Sequence, residues 1–413
     1  MHIALVSQEY PPETAHGGIG SQTLQKAHGL AALGHRVHVI SRSVDDKVHS
    51  PAPSPSVNSD LPPVQILRIP GVEHRFEVHT TAVDWLTYSA EVSAAIAAPH
   101  QADPIDLVDF PEYGCEGLVH LLNRTRWNHV TTVVHLHGPL VMLAHSIGWP
   151  EVDSDFYSMG TAMERACIRQ ADRVFSSSRC SVDWCARYYG LAPKTVPIIH
   201  MGVDMELFRP MDVPRDAAKT VVFVGNIVEN KGVCVLVEAA CKIASEFQGL
   251  KIKLIGKENH RVQDILMSMV HSAGQPDLLE FVGYVPHEQL PQALCRGHVF
   301  AAPSYYEGGP GFVYLEAMAC GLPVIACSGS GAAEVISDGT TGVLVPPGDA
   351  AKLADALRLL LSNPQLREKM GNAALSYVRQ THESHESARK LAEFYESVVA
   401  EQEARSAEML THA

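Results

Sequence analysis

Residues 299–326 read VFAAPSYYEGGPGFVYLEAMACGLPVIA, and the order of its parts decides the architecture. An apolar run, 299–302, ends at Pro303, whose missing N–H cannot continue a central ladder. A glycine-rich turn at 308–311 follows, then a helical stretch carrying Glu316. A second apolar run closes the stretch at 323–326. Strand, helix, strand in this compass is a βαβ unit, which demands parallel neighbours joined by a crossover.

The same alternation extends in both directions. Upstream, the runs 221–224, 251–255 and 280–282 read as strands, with a helix at 233–247. The N-terminal half repeats the scheme: strand 2–7, helix 21–33 ending at Gly34, strand 36–41, then strands at 64–69, 106–108, 131–136, 173–176 and 196–199. Residues 46–63 are rich in Pro and Ser and read as a surface loop. Between the halves, 203–220 carries Pro210 and Pro214 and reads as a linker. The fold class expected is α/β, two Rossmann-like doubly wound parallel-sheet domains with ligands at the strand C-termini, facing a cleft. The expected division is 1–207, joined by a helix at 384–413 that packs back on it, and 208–383.

Composition limits the chemistry. The chain of 413 residues carries 32 Lys and Arg against 46 Asp and Glu, a net charge of −14. That balance lacks the basic face duplex nucleic acid requires, and nucleic acid is excluded as a partner. No apolar run reaches the ~18–20 residues needed to span a bilayer. The N-terminus lacks a basic n-region, so no signal peptide is expected. Nine cysteines with no CxxC pair read as small buried hydrophobes in a reducing, cytoplasmic setting. The 22 histidines show no metal-ligand spacing, and no metal is expected.

Four polar constellations stand at predicted strand ends. His16-Gly17-Gly18-Ile19-Gly20 runs into a helix N-terminus, an anion-receptive turn, although Thr23 breaks a dinucleotide fingerprint. His135 and His137 alternate onto one strand face. Glu112 and Tyr113 end another strand and can meet hydroxyls, as can His16. Glu307 and Glu316 bracket the turn of the opening stretch: one can accept from sugar hydroxyls, the other can hold a vicinal pair. Carboxylates beside a diphosphate repel it unless a cation intervenes, and Lys231, in GNIVENKG, is the candidate. Each has a plainer reading: loop glycines, core histidines, a helix cap, a solvated lysine.

In ordered combination these motifs resemble glycosyltransferase family 4, the retaining GT-B enzymes also called glycosyl transferases group one. The resemblance runs through HGGIG, HLHG, FVGNIVENKG, FVGYVPHEQLP and the opening stretch. It implies a nucleotide-diphosphate sugar as co-substrate and a small-molecule or glycan acceptor, with no other cofactor. His137, Lys231 and Glu307 are implied as catalytic. Donor contacts are implied at Gly17, Gly18, Asn226, Val285, Gly308, Gly309, Gly311, Phe312 and Glu316. His16, Glu112 and Tyr113 fall on the acceptor side. Two departures stand out. Eight residues separate Glu307 from Glu316 where the family has seven, so either the turn bulges or Glu307 is displaced. The arginine usual after the glycine of FVG is Asn226, for which Arg261 is a substitute cation.

Retention by a covalent route needs a carboxylate nucleophile under the anomeric carbon, and the resemblance supplies none. Front-face attack with electrostatic stabilisation of the departing diphosphate, metal-independent, is the mechanism expected. Two other classes remain alternatives: a nucleotide-sugar 2-epimerase, and a non-catalytic nucleotide-sugar-binding protein.

Overall fold

The computed structural model describes residues 1–14, 18–44, 49–53, 64–70, 80–125 and 128–411. The chain divides into two compact units, Met1–Met201 with Ser384–Ala413, and Gly202–Glu383. The break precedes the expected 207/208 boundary for a bonded reason. Val203 N–H donates to the His382 carbonyl at 2.8 Å, and Phe208 is fully buried in the second unit's core.

The first unit holds β1 (His2–Val6), β2 (Arg36–Arg42), β3 (His49–Pro53), β4 (Gln65–Ile69), β5 (Leu107–Pro111), β6 (Thr131–Leu136) and β7 (Arg173–Ser176). Their order is β3-β4-β2-β1-β5-β6-β7. Strands β1, β5 and β6 are buried along their whole length, as strands covered by helices on both faces must be. Two expectations are corrected here. The other six strands form the expected parallel sheet, but the expected Pro/Ser loop contains β3, which adds an antiparallel edge strand to β4. Prolines are admissible there because an edge strand uses only one side's donors. The expected strand at 196–199 is reduced to one bridge, Ser176 to Ile198, because Pro197 has no N–H to extend it.

The helix Ser384–Thr411 completes this unit. Leu391, Ala392, Tyr395 and Val398 enter the core cluster formed with β1, β2 and the helix Gly18–Ala32. Fully burying a large apolar side chain stabilises by ~1.5–3 kcal/mol, so Leu391, Tyr395 and Val398 anchor the helix strongly. Tyr395 OH also donates to Asp109 Oδ2 at 2.6 Å, and that carboxylate pairs with buried Lys26 at 2.5 Å.

The second unit is a wholly parallel six-stranded sheet of β8 (Thr220–Val224), β9 (Lys251–Ile255), β10 (Leu279–Gly283), β11 (Val299–Ala302), β12 (Val324–Cys327) and β13 (Gly342–Val345). The order β10-β9-β8-β11-β12-β13 reverses direction at β8, so the loops after β8 and β11 lie at a topological switch point. Among the described residues, no helix is long and apolar enough to cross a membrane.

Candidate active site

The second unit brings its polar strand-end residues together at that switch point. After β8 the chain makes a turn at Glu229–Lys231 and enters the helix Val233–Ile243 through Gly232. Gly232 has φ +74°, and a Cβ there would lie 2.0 Å from the Pro303 carbonyl oxygen at the end of β11. Only glycine permits that approach. It is reinforced by Tyr305 N–H donating to the Asn230 carbonyl at 3.0 Å. Lys231 is thereby set beside the loop after β11, and its Nζ reaches Glu307 Oε1 at 2.8 Å. The lysine side chain is 30% exposed and the carboxylate 16%, so the pair is open to an incoming group.

Between the two glutamates the chain bends at 308–309. Gly331 packs against Gly309, and its N–H holds the Glu307 carbonyl at 2.9 Å. Glu307 is thus fixed at its backbone as well as by its lysine. Gly311 leads into the helix Phe312–Ala319, whose first residue, Phe312, is half-buried and which buries Glu316. Glu316 is held from outside that helix: His287 Nε2 donates to its Oε1 at 2.8 Å.

The neighbouring strands of the same sheet end at glycines. Gly225, Gly256 and Gly283 end β8, β9 and β10, linked by Gly225 N–H to Ile255 O (2.9 Å) and Gly256 N–H to Gly283 O (2.8 Å). A Cβ on Gly256 would sit 2.0 Å from the Gly225 carbonyl oxygen, so the strand ends close up only without one. Asn226 is exposed directly after Gly225, and Arg261 is exposed on the first turn of the helix His260–Ser272. Val285 packs half-buried against the core after β10.

In the first unit, His16 and Gly17 lie outside the described residues, and Gly18 is the exposed first residue of its helix. His137 follows β6 and is buried, its ring 3.9 Å from that of His135. Burial, and then the charge of Lys26, hold the His137 imidazole well below its ordinary pKa. It is neutral at physiological pH, with Nδ1 buried and without a partner among the described residues.

Glu112 corrects an expectation. Rather than facing an acceptor, it is fully buried and accepts from His137 N–H (2.7 Å) and Gly138 N–H (2.5 Å). Burial pushes its carboxyl up to about 7 against the opposing pull of those donors. Its work is to fix the backbone that carries His137. Tyr113 likewise turns inward, its ring 5.2 Å from Trp85 in an edge contact, and burial raises its hydroxyl to about 12. Two residues that the strand-end reading missed are Lys26 and His287. Only His287 had a signal, its place in FVGYVPHEQLP.

Two family models match the chain in succession: a glycosyl transferase 4-like domain over residues 17–202, and glycosyl transferases group 1 over residues 205–376. This chain belongs to the group 1 glycosyltransferases. As a member of that family it is an enzyme, and its two α/β units are those of the GT-B fold. The glycosyltransferase is 28% identical over 402 residues to D-inositol 3-phosphate glycosyltransferase from Actinosynnema mirum, with 90% of each chain covered. Its fold is similar to that of sucrose-phosphate synthase from Thermosynechococcus elongatus, at 23% identity and a TM-score of 0.80. That likeness covers 96% of this chain and 99% of the other. It is also similar to Anabaena HepE, solved in complex with UDP and glucose, at 17% identity and a TM-score of 0.73 over 96% and 100% of the chains.

Proposed function

We propose that this glycosyltransferase moves a hexose from a nucleotide-diphosphate sugar to an acceptor hydroxyl with retention of configuration and without a metal. The observation that carries the reading is the Lys231–Glu307 pair at the switch point, 2.8 Å apart and partly open to solvent. Lys231 supplies the cation a departing diphosphate needs. Glu307 accepts from the hexose hydroxyls, and Glu316 from the ribose. HepE, a structural neighbour, was solved with UDP and glucose, which supports a nucleotide sugar as donor here.

In the step proposed, the bond from the anomeric carbon to the diphosphate oxygen breaks as the acceptor oxygen bonds that carbon on the same face. The acceptor's proton passes to the diphosphate oxygen. Lys231 stabilises charge that grows only as the leaving group departs, which is where electrostatic catalysis acts. We place the reaction in the cytoplasm, a reading supported by nine scattered cysteines with no CxxC pair among them. Incubation with UDP-, ADP- and GDP-glucose and a panel of sugar and polyol acceptors tests it. The expected result is acceptor-dependent release of nucleoside diphosphate, undiminished by EDTA, with an anomeric configuration by NMR equal to the donor's. An inverted product, or activity abolished by EDTA and restored by a divalent cation, refutes the mechanism.

A further inference from the structure

We propose that His287 is a positioning residue for donor binding, which locks the Glu316 carboxylate so that one oxygen remains for the ribose hydroxyls. The proposal rests on the assignment of Glu316 to the ribose. Glu316 is buried, with a side chain 5% exposed, whereas that of His287 is 52% exposed. The imidazole therefore reaches the carboxylate from the solvent side and holds Oε1 at 2.8 Å. Oε2 meets no protein donor among the described residues. A buried carboxylate with one oxygen fixed and the other open is pre-organised for one pair of ligand hydroxyls, and no rotamer freedom is lost when they arrive.

The imidazole is itself held. It lies 4.9 Å from the ring of Phe208, which is fully buried, and stands in the short turn His287–Gln289. The charged groups that act on it most strongly are acidic: Glu316 from the helix Phe312–Ala319, Glu288 from its own turn, and Asp204 from the segment entering the unit. Burial disfavours the imidazolium, but the bond to Glu316 and these charges outweigh it, and the pKa is raised. The clamp is consequently a charge-assisted bond while the ring keeps its proton, which it does to a higher pH than a free imidazole. It weakens to a neutral N–H donor as the ring loses its proton.

The test pairs calorimetric titration of UDP, ADP and GDP with steady-state kinetics on the full chain. It uses wild type, His287→Ala, His287→Gln and Glu316→Gln, from about pH 6 to about pH 9. Expected for His287→Ala is a loss of nucleotide affinity of about tenfold or more, with donor KM rising far more than kcat falls. In wild type the donor KM rises with pH. In His287→Gln, which keeps an N–H donor but cannot titrate, it is flat. If Glu316→Gln weakens the nucleotide and His287→Ala does not, the clamp is overturned while the ribose assignment stands. If neither substitution changes affinity, the ribose assignment itself fails. A His287→Ala protein with a lowered melting temperature, kcat and KM altered together and the pH dependence retained also overturns the clamp, because His287 is then merely structural.

Discussion

Removing the Lys231 ammonium separates what the residue does for the fold from what it does for the reaction. In the resting enzyme Lys231 pairs with Glu307 at 2.8 Å, with side chains 30% and 16% exposed. Solvent screens such a pair, and its contribution to stability is below about 1 kcal/mol. Lys231→Ala therefore leaves the melting temperature within about 4 °C of wild type. The transition state is different. A diphosphate leaving group gathers charge beside the ammonium, and losing one such preorganised partner costs about 2.7 kcal/mol, or ~100-fold in kcat. The assay is nucleoside diphosphate release at saturating donor, run beside thermal unfolding of the same preparation. Lys231→Arg, which keeps the charge but changes its shape, recovers part of the rate. A kcat for Lys231→Ala within about threefold of wild type refutes the assignment of Lys231 to the leaving group. A rate loss matched by a collapse in melting temperature refutes it equally, since the lysine then serves the fold.

Three further perturbations follow from the geometry. Gly232→Ala forces a Cβ into the Pro303 carbonyl at a left-handed φ, so stability falls by about 1–3 kcal/mol and kcat drops as the two loops separate; urea unfolding and the release assay read both. Burial raises the Glu116 carboxyl to about 8 from 4.5, so its protonated form is the one the fold favours. Its contribution is present at low pH and is lost as pH climbs from about 4.5 through about 8, at up to about 1.4 kcal/mol per pH unit; Glu116→Gln flattens that slope in melting temperature measured from pH 5 to 8. Tyr395→Phe removes the hydroxyl bonded to Asp109 and destabilises the first unit by about 1–3 kcal/mol, measured by hydrogen exchange of β1 and β5.

The parallel strands were legible because helices cover both faces of each sheet and leave near-continuous apolar runs, such as 299–302, between glycine-marked turns. The edge strand β3 was not, since its prolines read as loop and its pairing is with a single neighbour. At the site, Lys231 and Glu307 could be picked out because each stands beside glycine in the loop that follows a strand. Their meeting depends on Gly232 closing against Pro303, a contact between segments far apart in sequence. Glu112 misled for a related reason. A glutamate after Asp-Phe-Pro looks solvent-facing, but its partners are backbone N–H groups at His137 and Gly138, on a different strand end. His287 was legible only as part of FVGYVPHEQLP, because its importance comes from a carboxylate on another helix.

The helix Ser384–Thr411 has a consequence for biogenesis. The second unit, Gly202–Glu383, is one unbroken segment and is complete in synthesis before that helix exists. The first unit begins synthesis earlier but is completed last. Until Leu391 and Tyr395 emerge, its core lacks a wall, and the buried Lys26–Asp109 pair lacks the phenol that completes it. The later-coded unit can thus reach its native state on the ribosome while the earlier one waits, a reversal of N-to-C folding order imposed by the chain's last helix.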